Sequence, residues 1–337
     1  MTTVLARTGA RLHFGLILGT PADGWEFGGV GLMLRQPGWQ LRVALQHPSD
    51  NSHTSANLPD HITGASAGTA DRIGRLLRRL RNLQPIPPLR VEVTAEIPPH
   101  TGLGSGTQLA LATTAAVGWL VTGELPPAAE QLAAASGRSE RSAIGTAGFD
   151  CGGFLVDRGR AANQPRVQHL ALPDHWRFLL VRPMDTQGLS GQAEQQWFQG
   201  RREMSSELTA RLAAAIEQQL VPAIATADAP AFAEALDTYG DAAGAFYAPA
   251  QGGTFSHPAT RSLAAELRRQ GIRGIAQSSW GPGICIPAAS DAAAQQLLAL
   301  IPASIDGCEL ETTVTEPLNT GASITREAPP QPQTGFA

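Results

Sequence analysis

The stretch PPHTGLGSGTQLALA, Pro98 to Ala112, decides how the fold is read, because it carries the chain from a strand into a helix through three alternating glycines. Before it, Leu89, Val91 and Val93 alternate with Arg90, Glu92 and Thr94, which predicts a half-buried strand over Leu89 to Glu96. After it, Leu109 to Val121 is small and apolar on nearly every side, as in a buried helix, and Gly123 stops it. Gly102, Gly104 and Gly106 permit positive φ and close backbone approach. The amides of Ser105, Gly106 and Thr107 are therefore expected to converge on an anion, helped by the helix dipole. The Ser105 and Thr107 hydroxyls are candidates for phosphate oxygens or a metal-bound water. Neither the Walker A spacing nor GxGxxG fits. A tight turn whose glycines serve only packing gives the same letters, so the loop alone leaves function open.

A chain of 337 residues is long enough for two domains, and 42% apolar with 16% charged residues describes a folded protein. The net charge of -4 supplies no general basic surface, so nucleic acid and membrane are not expected partners and small molecules are. All 25 Lys and Arg residues are arginine, so any cationic contact to phosphate or carboxylate comes from a guanidinium. Cys151, Cys285 and Cys308 lie far apart without a CxxC pair, which fits a reducing compartment and no zinc site. Met1 to Gly9 lacks the features of a signal peptide and no segment has membrane-spanning length, so a cytoplasmic location is expected.

Val4 to Thr8, Arg11 to Leu18 and Leu41 to Gln46 also read as strands. Ile73, Leu76, Leu77, Leu80 and Leu83 form one helical stripe, and Arg72, Arg75, Arg78, Arg79 and Arg81 around it read as a solvated face. His47 to His61 is a polar loop without metal-ligand spacing. Phe154 to Asp157 and Trp176 to Arg182 are strands flanking the turn-rich Arg158 to Pro165, which sets the expected boundary between domains 1–165 and 166–327. Helices are expected over Ala193 to Phe198, Ser206 to Val221, Ala229 to Ala243, Pro258 to Gln270 and Asp291 to Ile301. Strands are expected at Ile272 to Ser278, Ile284 to Pro287 and Glu309 to Thr315, an order closer to a split βαβ, ferredoxin-like half than to a doubly wound sheet. The tail 328–337 is expected to fray.

Arg11-Leu12-His13-Phe14-Gly15-Leu16, the glycine loop and Gln277-Ser278-Ser279-Trp280-Gly281-Pro282 resemble the three motifs of the GHMP kinase superfamily. The resemblance implies an α+β, two-domain GHMP kinase fold, with a ribosomal protein S5 domain 2-like N-terminal domain, a ferredoxin-like C-terminal domain and the active site between them. Within the superfamily, Arg141 to Thr146 (RSAIGT), Gly152-Gly153-Phe154, Gly188-Leu189-Ser190-Gly191 and SSWGP look closest to the beta-ribofuranosylaminobenzene 5'-phosphate synthases. Gly106-Thr107-Gln108 departs from the usual kinase loop, and Trp280 with Pro282 replaces a glycine-rich third motif, which argues against a pocket for ATP phosphates.

That resemblance implies a decarboxylating phosphoribosyltransferase of tetrahydromethanopterin biosynthesis. It would join phosphoribosyl pyrophosphate to 4-aminobenzoate with loss of CO2 and pyrophosphate, using Mg2+ and no organic cofactor, as a homodimer. Gly102, Gly104, Ser105, Gly106 and Thr107 would hold pyrophosphate, while Arg11, Arg138 and above all Arg141 would clamp the 5'-phosphate or the benzoate carboxylate. Asp150 would serve a metal or a ribose hydroxyl, making Asp150, Arg141 and His13 the candidate catalytic residues; Arg11, Ser190, Ser279 and Trp280 are candidate substrate-binding residues. Each has a bland counterpart: Asp150 a turn residue, Arg138 ordinary surface, His13 a hydrogen-bonded core residue, Ser190 a helix cap, Trp280 a core anchor. The rival functions are an ATP-dependent kinase in which Asp150 assists the substrate hydroxyl, and a non-catalytic binding protein on the same fold.

Overall fold

Val4, Ala6 and Thr8 are buried while Arg7 faces solvent, the period of two that makes β1 (Thr3–Leu18) a strand. The computed structural model describes residues 2–46, 59–138, 141–160, 166–184, 192–200 and 202–327. The polar-loop residues 47–58, residues 161–165 of the expected boundary, Ser190 with the rest of 188–191, and the tail 328–337 lie outside the described residues.

β2 (Glu26–Leu45) pairs antiparallel with β1, and the register slips at Gly9/Ala10 and again between His13 and Leu16. The second slip is a bulge, and it takes Phe14 and Gly15 out of the ladder at the point where β1 reaches the cleft described below. Only Leu41 to Gln46 of β2 is legible as a strand. Gly28, Gly29, Gly31 and Pro37 hide the rest, which stays extended because both its edges are paired.

The chain continues through β3 (His61–Thr63), α1 (Ala67–Arg81), β4 (Leu89–Ala95), α2 (Ser105–Thr122), α3 (Ala129–Ser136), α4 (Ile144–Cys151), β5 (Phe154–Asp157) and β6 (Val167–Leu170). Next come β7 (Arg177–Pro183), α5 (Gln192–Gln199), α6 (Ser206–Ala215), a π-helical turn (Ile216–Leu220), α7 (Val221–Ala225), α8 (Ala229–Gln251) and α9 (Pro258–Arg269). The last elements are β8 (Ala276–Gln277), β9 (Ile284–Ala288), α10 (Asp291–Leu300), β10 (Ser304–Ile305), β11 (Cys308–Thr315) and β12 (Ser323–Glu327).

The first sheet runs β12-β1-β2-β4-β3, with β5 also on β2 and β6 on β5; the second runs β10-β11-β7-β9-β8. This is the expected α+β class, with one correction to the boundary. β6 pairs β5 and β12 pairs β1, so the first sheet draws strands from beyond residue 165 and takes back the end of the described chain. Backbone pairing, which composition does not reveal, ties residues 167–170 to the first sheet.

α2 packs on β1 and β2 with eleven buried residues from Ser105 to Val117, apolar but for Ser105, Gln108, Thr113 and Thr114. Each fully buried leucine or valine there contributes roughly 1.5–3 kcal/mol. Of those polar residues, Gln108 makes two long-range bonds: it accepts from the Thr8 hydroxyl at 2.7 Å and donates to Gly145 O at 2.9 Å, tying β1, α2 and α4 together. α8 starts on an Asp228 cap and ends at Gly252. Its Tyr239 and Tyr247 hydroxyls each donate at 2.8 Å, to Gly15 O and Leu16 O, which fixes the β1 bulge against the second half. Among the described residues, no helix is long and apolar enough to cross a membrane.

Candidate active site

The glycine loop does start α2, with Gly104 as a left-handed cap at φ 68°. A Cβ on Gly102 would stand 2.2 Å from Ser278 O and one on Gly281 2.3 Å from Thr101 O, so the loop and the third motif touch backbone to backbone. Thr107 N and Gln108 N both donate to Gly104 O at 3.1 Å. That corrects the expected trio of anion donors to a pair, Ser105 and Gly106, whose N–H groups have no acceptor among the described residues. The Ser105 hydroxyl is also committed: it donates to Ile97 O at 3.0 Å and accepts from Arg72 at 3.3 Å, so it braces the loop rather than a ligand. Trp39 Nε1 donates to Ser105 O at 3.0 Å, holding the first turn of α2 on β2.

The loop borders a cleft of about 660 Å³ between the two halves. Arg11, Arg72, Arg75, Arg138 and Arg141 line it, and no carboxylate does among the described residues. A Cβ on Gly106 would lie 3.3 Å from a guanidinium nitrogen of Arg72 and 3.3 Å from one of Arg138. Burial, and then the charge of Arg138, lower the Arg72 guanidinium from its ordinary value. Two guanidinium groups beside one glycine at a helix N-terminus make a favourable seat for an anion.

Arg72 and Arg75 line the cleft although their pattern in the sequence marks only a solvated face, and Arg138 is a lining residue too. A signal for them exists. Residues 72, 75 and 79 recur at i, i+3 and i+7 on one edge of α1, and Arg79 follows the stripe by donating to Ala135 O at 2.9 Å. Arg11 lies across the loop, donating to Ser279 Oγ at 3.0 Å, and Arg141 sits with its guanidinium carbon 4.2 Å from the Phe198 ring centroid.

His13 lines the cleft floor but is 4% exposed. Its Nδ1 accepts from Gly15 N at 3.3 Å, which leaves Nε2–H to donate to Ser142 Oγ at 3.1 Å. Ser142 donates in turn to Asp157 at 3.2 Å; the same fully buried carboxylate accepts from Ala143 N at 2.6 Å, Gly159 N at 3.0 Å and Arg166 Nε at 3.0 Å. Burial, and then the charge of Arg11, pull the His13 pKa down to about 3. A neutral imidazole locked in one tautomer positions its neighbours and does not shuttle protons at neutral pH.

The unfolded chain protonates this residue near 6.5 and the folded one does not, so stability is complete above that value and declines as pH falls toward 3. Between pH 7 and pH 5 the folding free energy measured by urea unfolding is expected to drop by about 2 kcal/mol less in His13→Gln than in the parent. Equal drops would show that His13 titrates normally.

Asp150 is corrected outright. It is exposed on the last turn of α4, both carboxylate oxygens accept from Ala129 N at 3.0 Å, and it does not line the cleft. It caps α3 from outside. Ser279 and Trp280 do line the cleft. Ser279 is held at φ 51° with its N–H on His13 O at 2.7 Å, a strained backbone that sets its hydroxyl toward Arg11. No group of three His, Cys, Asp or Glu side chains able to hold a metal occurs among the described residues.

The family model described as GHMP kinases N terminal domain matches residues 69–156. In solved structures the chain is similar to homoserine kinase from Cytophaga hutchinsonii, with a TM-score of 0.63, 16% identity and 96% and 97% of the two chains covered. It is similar also to mevalonate diphosphate decarboxylase from Staphylococcus aureus, with a TM-score of 0.57, 15% identity and 96% and 98% covered. At such identities the likeness establishes the fold alone. Two curated relatives are both named beta-ribofuranosylphenol 5'-phosphate synthase. That of Methanothermobacter thermautotrophicus is 29% identical over 258 residues, 69% of this chain and 74% of the relative. That of Archaeoglobus fulgidus is 30% identical over 245 residues, 68% of this chain and 73% of the relative. With its glycine loop, its arginine-lined cleft and these relatives, the chain belongs to the beta-ribofuranosylphenol 5'-phosphate synthase family, transferases built on the GHMP kinase fold.

Proposed function

We propose that this enzyme joins phosphoribosyl pyrophosphate to a para-substituted benzoate, releasing CO2 and pyrophosphate. The observation that carries the reading is the cleft lining: five arginines, two of them turned to the open amides at the start of α2, and no acidic side chain among the described residues. Such a lining suits a substrate pair bearing a pyrophosphate, a phosphate monoester and a carboxylate.

The chemistry needs no proton transfer. The anomeric C–O bond breaks and its electron pair leaves with pyrophosphate, where the Ser105 and Gly106 amides and the Arg72 and Arg138 guanidinium groups meet the growing charge. The ring carbon bearing the carboxylate supplies a π pair to the cationic sugar carbon. The bond to the carboxylate then breaks, its electrons restore the aromatic ring, and CO2 departs. The neutral His13 imidazole in the cleft lining accords with that scheme. A kinase would require a base for the substrate hydroxyl, and Asp150, the candidate for it, is engaged as a cap elsewhere.

The names of the relatives carry a phenol where the sequence resemblance suggested an aminobenzene, so both acceptors enter the test. Purified protein given phosphoribosyl pyrophosphate and either 4-hydroxybenzoate or 4-aminobenzoate, without ATP and with or without added Mg2+, is expected to release CO2 and pyrophosphate one for one. An unchanged pool of both acids in folded protein overturns the proposal.

A further inference from the structure

The cleft has a second end of different character. Phe198 on α5, Tyr247 on α8 and Trp280 of the third motif all line it. Trp280 and Tyr247 meet edge to face with centroids 5.1 Å apart, and Phe198 stands 6.1 Å from Trp280. The Tyr247 hydroxyl is spent on Leu16 O, so the residue offers its ring and not its polar tip. Gly240, Ala243, Gly244, Tyr247 and Gln251 of α8 fall on one helical stripe along the same lining, leaving a low wall beside the three rings.

Arg141 joins the two ends. Its neighbour Ser142 contacts His13 on the cleft floor, and its guanidinium lies on the Phe198 ring. One helical turn beyond Tyr247 the polar lining is uncharged, with Gln277 Nε2 donating to Gln251 Oε1 at 2.9 Å and Gln251 Nε2 donating to Thr254 O at 3.0 Å.

We infer that Phe198, Tyr247 and Trp280 form the subsite for the aromatic acid, with its carboxylate toward Arg141 and its para substituent toward Gln251 and Thr254. The inference rests on the function proposed above. The orientation follows from the chemistry: the carbon bearing the carboxylate must face the sugar, and the sugar's anionic groups belong at the arginine end. An uncharged polar far wall suits a neutral hydroxyl or amine para to the acid. Aromatic faces discriminate for a π system, and the stacked, planar guanidinium of Arg141 serves as a positioning group for the carboxylate.

The experiment uses the whole enzyme and measures binding separately from turnover. Calorimetry with 4-hydroxybenzoate, 4-aminobenzoate and cyclohexanecarboxylate, each in the presence of saturating pyrophosphate, compares acids of equal charge with and without an aromatic face. The two aromatic acids are expected to bind at least about tenfold more tightly than the saturated one. Phe198→Leu and Tyr247→Leu are each expected to weaken aromatic-acid binding, and to raise KM for the acid, by about tenfold while leaving the Kd for pyrophosphate unchanged. Arg72→Ala is expected to do the reverse. Tyr247→Leu and Trp280→Leu are the harsher variants because both residues are 8% exposed, and Phe198, only half-buried, keeps the test open where they fail to fold.

Equal binding of the saturated and aromatic acids overturns the subsite. So does folded Phe198→Leu protein with unaltered aromatic-acid affinity. The two proposals fail differently: aromatic binding in the slot without any turnover refutes the reaction alone, whereas turnover with an unchanged KM for the acid in Phe198→Leu refutes the subsite alone.

Discussion

Gly106→Ala is expected to make the protein slightly more stable and nearly inactive. Gly106 lies in the first turn of α2 with no left-handed φ, so alanine removes the glycine entropy penalty there, worth up to about 1 kcal/mol. The nearest atoms to the new methyl are side-chain ends, the guanidinium nitrogens of Arg72 and Arg138 at 3.3 Å, which need give by only a few tenths of an ångström. The methyl then stands where an anion must sit to reach both arginines and the Ser105 and Gly106 amides. Loss of such preorganised donors is expected to lower kcat/KM by roughly 10²-fold, with a parallel loss of pyrophosphate affinity by calorimetry. Gly118→Ala is the matched control, in the same helix with open space at its Cβ position: it should gain similar stability and keep full activity. Parent-like turnover in Gly106→Ala would remove the anion from this seat.

Asp157→Ala is expected to carry the largest stability loss, about 3–5 kcal/mol by urea unfolding. The carboxylate is wholly buried and satisfies Ala143 N–H, Gly159 N–H, the Ser142 hydroxyl and Arg166 together. Truncation leaves buried donors unmet and the Arg166 charge without its partner. Since folded domains have only about 5–15 kcal/mol to lose, the variant should unfold well below the parent's temperature. Activity should fall even in the folded fraction, because Ser142 no longer holds His13. A measured loss under about 1 kcal/mol would mean that the network is not cooperative.

The local features came through in the sequence and the convergent ones did not. A strand, three glycines and a buried helix in succession were enough to place the loop that opens α2, and three separated motifs were enough to place the fold. The arginines of α1 were misjudged because periodicity reveals which face is buried and says nothing of what borders the other. Only folding brings residues 11, 104–107 and 138 beside Arg72. Asp150 failed for the opposite reason. Closeness in sequence to a matched motif is not closeness in space, since the remaining turn of α4 carries its carboxylate to the start of α3. Gln108 departs from the kinase loop, and its two buried hydrogen bonds give that departure a structural use.

The return of β12 to β1 has a consequence for how the protein is made. Thr3 pairs with Glu327, so the outer edge of the first strand is finished only by residues synthesised at the very end of the described chain. At about 5–20 residues per second that edge waits, unpaired, for tens of seconds on the ribosome. Both walls of the cleft emerge before it closes. An open strand edge is a template for a neighbouring nascent chain, so β1 stays available to such pairing until the residues of β12 emerge.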